Sequence, residues 1–98
     1  MNLKQQKDGK KVTVFAQGRI DTNTAPEFLE YIKEAMAGAE ELVIDLEGVD
    51  YVSSAGLRVI LFAQKTMNSQ GSMSVAHVNS DIMETFELTG FTDILTII

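Results

Sequence analysis

Residues 42–67 constrain what this chain can fold into more than any other stretch. Leu42, Val43, Ile44 and Leu46 form a nearly continuous apolar run, the pattern of a buried strand, and beyond Ala55 the apolar residues recur at helical spacing. Between the two lies Asp50-Tyr51-Val52-Ser53-Ser54-Ala55-Gly56-Leu57-Arg58-Val59-Ile60-Leu61, an acidic strand exit that runs through paired serines into an apolar helix. Gly71 closes that helix ahead of a further strand near 72–77, and a strand–helix–strand unit favours parallel pairing. The serines occupy the strand-to-helix turn. There the first backbone N–H groups lack intrahelical partners and carry about half a positive charge, so a phosphoserine is stabilised by roughly 0.3–1 kcal/mol. A serine so placed can serve as a switch.

The rest of the chain extends the α/β pattern. Residues 3–7 and 11–18 read as a hairpin turning at Asp8-Gly9, with Val12, Val14 and Ala16 alternating against Lys11, Thr13 and Phe15. Thr24-Ala25-Pro26-Glu27 has capping-box spacing with proline in the first turn, and Phe28, Ile32, Ala35 and Met36 follow at helical spacing up to Gly38. Strands near 41–46 and 72–77 flank a helix over about 55–69. Asn79 or Ser80 caps a third helix that stops at Thr89-Gly90, and residues 94–98 read as a last short strand. The reading is therefore an α/β domain: a mixed, mostly parallel sheet of four to five strands flanked by three helices.

Within the helix after Ser54, rotation by about 100° per residue places Gly56, Val59, Ile60, Ala63 and Met67 on the core side. The opposite side collects Arg58, Phe62, Lys65 and Ser69, with Leu61 at its edge and Ser54 at its start. An aromatic on a polar face has two readings: cover by a loop or neighbouring helix, or a binding surface in which basic and apolar groups surround the serine, as at protein interfaces.

Three motifs in order resemble those of the STAS family of bacterial anti-sigma factor antagonists. Asp45-Leu46 followed by Ser53-Ser54-Ala55-Gly56-Leu57 is similar to the family's strand end and phosphorylatable loop; Gly18-Arg19-Ile20-Asp21-Thr22-Asn23-Thr24-Ala25 matches a second signature, and Leu88-Thr89-Gly90-Phe91 a third. The resemblance covers nearly the whole chain and implies a single STAS domain over 1–98. It makes Ser54 the phosphoacceptor, with Ser53 the second candidate. Ser53 stands where the family usually carries aspartate, and Ala55 where a second serine or threonine is common. The implied function is partner switching: the unmodified protein binds an anti-sigma factor that is also its serine kinase, and a PP2C-type phosphatase resets the phosphorylated form. The implied contact residues are Asp21, Thr22, Ser53, Ser54, Ala55, Gly56, Arg58, Leu61, Phe62 and Lys65. Asp21 and Thr22 also have a plain reading as turn residues. The alternative function is a cytosolic STAS subunit of a transport complex or multi-protein scaffold.

Other classes fit less well. Val52-Ser53-Ser54-Ala55-Gly56 falls one residue short of a Gly-x-Ser-x-Gly nucleophile elbow, valine replacing the first glycine, and the only histidine, His77, lies near a strand end. No enzyme activity is expected. Asp45, Glu47 and Asp50 lack EF-hand spacing, so they are read as a solvated loop and not as metal ligands. The seven glycines form no phosphate-binding loop, and no cofactor is expected. A net charge of −6 argues against nucleic acid. With no membrane-length apolar run, no signal-type N-terminus and no cysteine, the expectation is a soluble cytoplasmic protein.

Overall fold

Alternation of side chains decides the second strand, and pairing along it decides the first. In the computed structural model, which describes residues 1–98, β1 (Asn2–Asp8) and β2 (Lys11–Ile20) pair antiparallel from Asn2↔Gln17 to Asp8↔Lys11, and Val12, Val14 and Ala16 are buried while Lys11 and Phe15 face outward. The chain then forms α1 (Ala25–Met36), β3 (Glu41–Val52), α2 (Ser54–Asn68), β4 (Ser72–Ala76) and α3 (Ser80–Thr89), followed by a 3-10 turn at Phe91–Asp93. The sheet order is β1-β2-β3-β4, with β2–β3 and β3–β4 both parallel. It is a mixed, mostly parallel four-stranded sheet with three α-helices.

Burial on both faces of the central strand explains its apolar run. Leu42, Val43, Ile44 and Leu46 are all buried, and α1 and α2 pack against each other and across β2, β3 and β4. Phe28 and Ile32 of α1, Ile60 and Met67 of α2, and Val14, Ile44 and Val75 of the sheet join one continuous core. Each such side chain contributes on the order of 1.5–3 kcal/mol by leaving water. α3 lies against β3, and Phe86 of α3 stacks on Phe91 with ring centroids 6.1 Å apart. No helix is long and apolar enough to cross a membrane.

Four expectations need correction. Strand β3 runs to Val52 and not to 46, because residues 48–52 continue the ladder against Gln17–Ile20 past two register shifts, at each of which β3 carries one residue more than β2. The expected solvated loop of Asp45, Glu47 and Asp50 is therefore strand, with Asp45 buried and the other two exposed. The fifth strand is reduced to a single parallel bridge, Val75↔Ile97, made by Val75 N–H to Thr96 O and Ile98 N–H to Val75 O, each 2.9 Å. Helix α2 ends at Asn68 with Ser69 as its C-cap, and Gly71 closes it as expected, its N–H donating to Met67 O at 2.7 Å; a Cβ there would also run into the Glu40 carbonyl, so only glycine lets the chain pass into β4. Finally, Thr24 makes no capping-box bond at α1; its hydroxyl instead donates to Arg19 O and accepts from Asp21 N–H.

Candidate functional site

The turn between β3 and α2 is tied to the end of β2. Ser53 N–H donates to Ile20 O at 2.8 Å, and Ser53, the N-cap, accepts from Gly56 N–H through its hydroxyl at 3.4 Å. The cap is thus Ser53, and Ser54 is the first helical residue. Ser54 is exposed, and its hydroxyl takes part in no hydrogen bond. The two serines therefore divide the work: one closes the helix end, and the other presents a free hydroxyl beside unpaired backbone N–H groups. The His77 ring is hydrogen-bonded to Asp45, and no hydrogen bond links it to Ser54.

Behind the serines, Gly56 is buried; a Cβ there would meet Ile20 Cγ2 at 2.6 Å and Val52 Cγ1 at 2.9 Å. Its expected place among the contact residues becomes one beneath the surface, where it brings α2 down onto the strand ends. Ala55 is half-buried, Arg58, Phe62 and Lys65 are exposed, and Leu61 is half-buried at their edge. This reproduces the expected outward face of α2.

The neighbouring turn is held by Asp21. Its Oδ1 accepts from Asn23 N–H at 2.9 Å and Thr24 N–H at 3.1 Å, and its Oδ2 lies 3.6 Å from Arg19 Nε. The Thr24 N–H above all holds the Asp21 carboxyl below the ordinary carboxylate range. The Asn23 N–H, the Thr24 hydroxyl and the Arg19 guanidinium act in the same direction, and burial opposes them. Asp21 is thus committed to the turn, while Thr22 is exposed. The Arg19 guanidinium also lies 4.3 Å from the centroid of the Tyr51 ring on the adjacent strand, a contact the sequence alone did not signal.

Phe62 is not covered by a loop; it remains 40% exposed. It forms, with Val59 and Arg58 of α2 and Pro26, Leu29 and Lys33 of α1, the lining of a groove of about 390 Å³. Lys33 Nζ stands 5.8 Å over the Phe62 ring. Thr22 and Ala55 also line this groove, whereas Leu61 and Lys65 do not. Sequence reasoning missed the α1 wall. Pro26, Leu29 and Lys33 recur at helical spacing beside the core stripe, but nothing in the sequence sets that face opposite Phe62.

A second cluster lies away from the serines. His77, with φ of +56°, turns its ring back so that Nδ1 is 2.9 Å from Asp45 Oδ2, and Asp45 Oδ1 accepts from Glu47 N–H. Asp45 is 9% exposed and the His77 ring 60%. The hydrogen bond to Asp45 and its charge, aided by Glu47, raise the His77 pKa above its ordinary value against opposing desolvation. Donor atoms of Asp45, Glu47 and His77 lie within 4.8 Å of one another, whereas Asp50 stands apart from them.

Comparison with known proteins agrees with the fold and with the family resemblance. The anti-sigma-B factor antagonist of Listeria monocytogenes is 35% identical over 96 residues, spanning 95% of this chain and 83% of that protein. Among solved structures, an anti-sigma factor antagonist from Mycobacterium paratuberculosis has a TM-score of 0.90 at 23% identity, over 98% of this chain and 83% of that one. The Bacillus cell fate determinant SpoIIAA in its phosphorylated form has a TM-score of 0.76 at 12% identity, over 99% of this chain and 91% of that one. The STAS domain family model matches residues 2–98, and the chain belongs to the STAS domain family.

Proposed function

We propose that this protein is an anti-sigma factor antagonist: unmodified, it binds an anti-sigma factor, and phosphorylation of Ser54 ends that binding. The carrying observation is the exposed Ser54, whose hydroxyl is unbonded at the first position of α2 while Ser53 alone caps the helix. The name of the Listeria relative supports the general role, and the SpoIIAA structure is an instance of this fold in a phosphorylated form. The anti-sigma factor is the serine kinase, holding its own ATP; a PP2C-type phosphatase restores the hydroxyl. This chain is substrate and ligand, and it performs no catalysis.

Local electrostatics operate the switch. A phosphate adds about −1.5 to −2 charges to the centre of the contact surface, where its desolvation and its repulsion from an acidic partner oppose docking. The helix N-terminus and Arg58, one turn on, stabilise that phosphate in the free protein. Stabilising the modified monomer while disfavouring the complex is what a release switch requires.

The test is phosphosite mapping by mass spectrometry on protein recovered from its native cells, with Ser54→Ala as control. Partner capture follows with the unmodified protein and with Ser54→Asp. Modification at Ser54 that disappears in the control, together with an anti-sigma factor retained only by the unmodified form, is the expected result. An unmodified Ser54 across growth and stress conditions, with permease components as the retained partners, overturns it in favour of a transport-complex subunit.

A further inference from the structure

The α1–α2 groove has a chemistry that specifies its occupant. Its floor and walls are apolar, formed by Pro26, Leu29, Val59 and Phe62, and its volume of about 390 Å³ accommodates one or two large side chains. Lys33 and Arg58 are the charged residues of its lining, and no carboxylate joins them, although the chain as a whole carries a net charge of −6. Lys33 is only loosely engaged, 4.0 Å from Glu30 and over the Phe62 ring. Arg58 is exposed and takes part in none of the ion pairs of the protein. An arginine beside an exposed aromatic, with no internal carboxylate to satisfy it, is a recurring form of interface anchor.

We propose that this groove receives a segment of the partner protein that presents a large apolar side chain close to a carboxylate, the apolar group seating on Leu29 and Phe62 and the carboxylate pairing with Arg58. The inference rests on the partner-binding reading above and adds α1 to the docking surface. It also gives that surface a selectivity rule: an acidic, apolar segment is accepted, and a basic one is excluded by two cations of like charge.

A side-chain mimic tests the groove without any partner. In titrations followed by amide resonances of the isotope-labelled protein, 4-phenylbutyrate shifts Leu29, Lys33, Arg58 and Phe62 and binds roughly fivefold tighter than the neutral isostere 4-phenylbutan-1-ol, the size of one exposed ion pair. Arg58→Gln brings acid and alcohol to within about twofold of each other. Equal affinities in the unsubstituted protein, or shifts elsewhere, overturn the proposal; so do groove shifts that depend on protein concentration without the mimic, which assign the groove to a second copy of the chain.

The second arm uses the anti-sigma factor identified by capture. Arg58→Glu and Phe62→Ala each weaken its binding by about tenfold or more, whereas Lys7→Glu on the remote β1 edge, with the same change in net charge as Arg58→Glu, leaves it unchanged. Equal binding by all variants overturns the groove and leaves the anti-sigma reading standing. If no anti-sigma factor binds the unsubstituted protein, that reading fails, and the mimic titration decides the groove alone.

Discussion

Gly56 is where the candidate site and the core make opposite demands on one position. A helix gains up to about 1 kcal/mol when glycine becomes alanine, but here the new methyl group would lie 2.6 Å from Ile20 Cγ2 and 2.9 Å from Val52 Cγ1, both on buried side chains. Overpacking of this kind costs about 1–3 kcal/mol, so the overlap prevails. Gly56→Ala is expected to lower the urea unfolding free energy by about 1–2 kcal/mol. The two N-caps separate by geometry in the same way. Asn79 accepts from Ile82 N–H at 2.8 Å and donates to Val49 O at 3.1 Å, whereas Ser53 makes one long bond of 3.4 Å. Asn79→Ala should cost about 2 kcal/mol and Ser53→Ala less than about 1 kcal/mol. Urea denaturation of both variants gives the order directly, and a reversed order would show that the serine cap is tighter than its geometry indicates.

At the scale of elements, the contact between His77 and Asp45 joins the segment after β4 to the middle of β3. The His77 pKa is raised in the folded protein, first by its hydrogen bond to Asp45. Protonated His77 therefore stabilises the fold below its unfolded value of about 6.5, and that contribution is lost as pH rises through the raised folded value. Asp21 has the opposite sign: its pKa is lowered, so its contribution is present above the ordinary value and lost as pH falls through the depressed one. The stability difference between the unsubstituted protein and His77→Gln is expected to be largest at about pH 6 and to shrink on going alkaline, measured by thermal unfolding across the range. A difference that does not vary with pH would show that the imidazole acts only through packing. Val59 and Phe62 of α2 both line the groove, the buried Val59 from the edge of the core and the exposed Phe62 from outside it, and only the position of α1 makes the pair one side of a groove.

At the scale of the whole molecule, the switch has to change binding without disturbing the fold. Ser54 is exposed and contributes nothing to the α2 cap, so Ser54→Asp should leave the fold intact and raise stability by about 0.3–1 kcal/mol through the helix N-terminus. The same substitution should weaken anti-sigma factor binding. Calorimetric unfolding and a binding titration on one preparation check both halves. Loss of stability together with loss of binding would mean that the serine is structural.

Local rules made much of this legible in advance. The alternation of Val12, Val14 and Ala16, the apolar run of β3, the outward face of α2 and the position of Ser54 at a helix start all follow from periods of two and of 3.6 and from the chemistry of helix ends. Those constraints act within a few residues, so the chain carries them in its order. The extension of β3 to Val52, the reduction of the last strand to one bridge and the bond from His77 to Asp45 depend on which segments meet across the sheet. So do the crowding around Gly56 and the groove in which Pro26, Leu29 and Lys33 face Phe62. Such contacts join residues far apart in sequence, and no local periodicity records them. The sequence by itself determined the order of the helices and of the four main strands, their core faces and the place of the serine at a helix start; the tertiary structure alone decided how far β3 runs and what surrounds that serine, because only packing brings distant segments to its side.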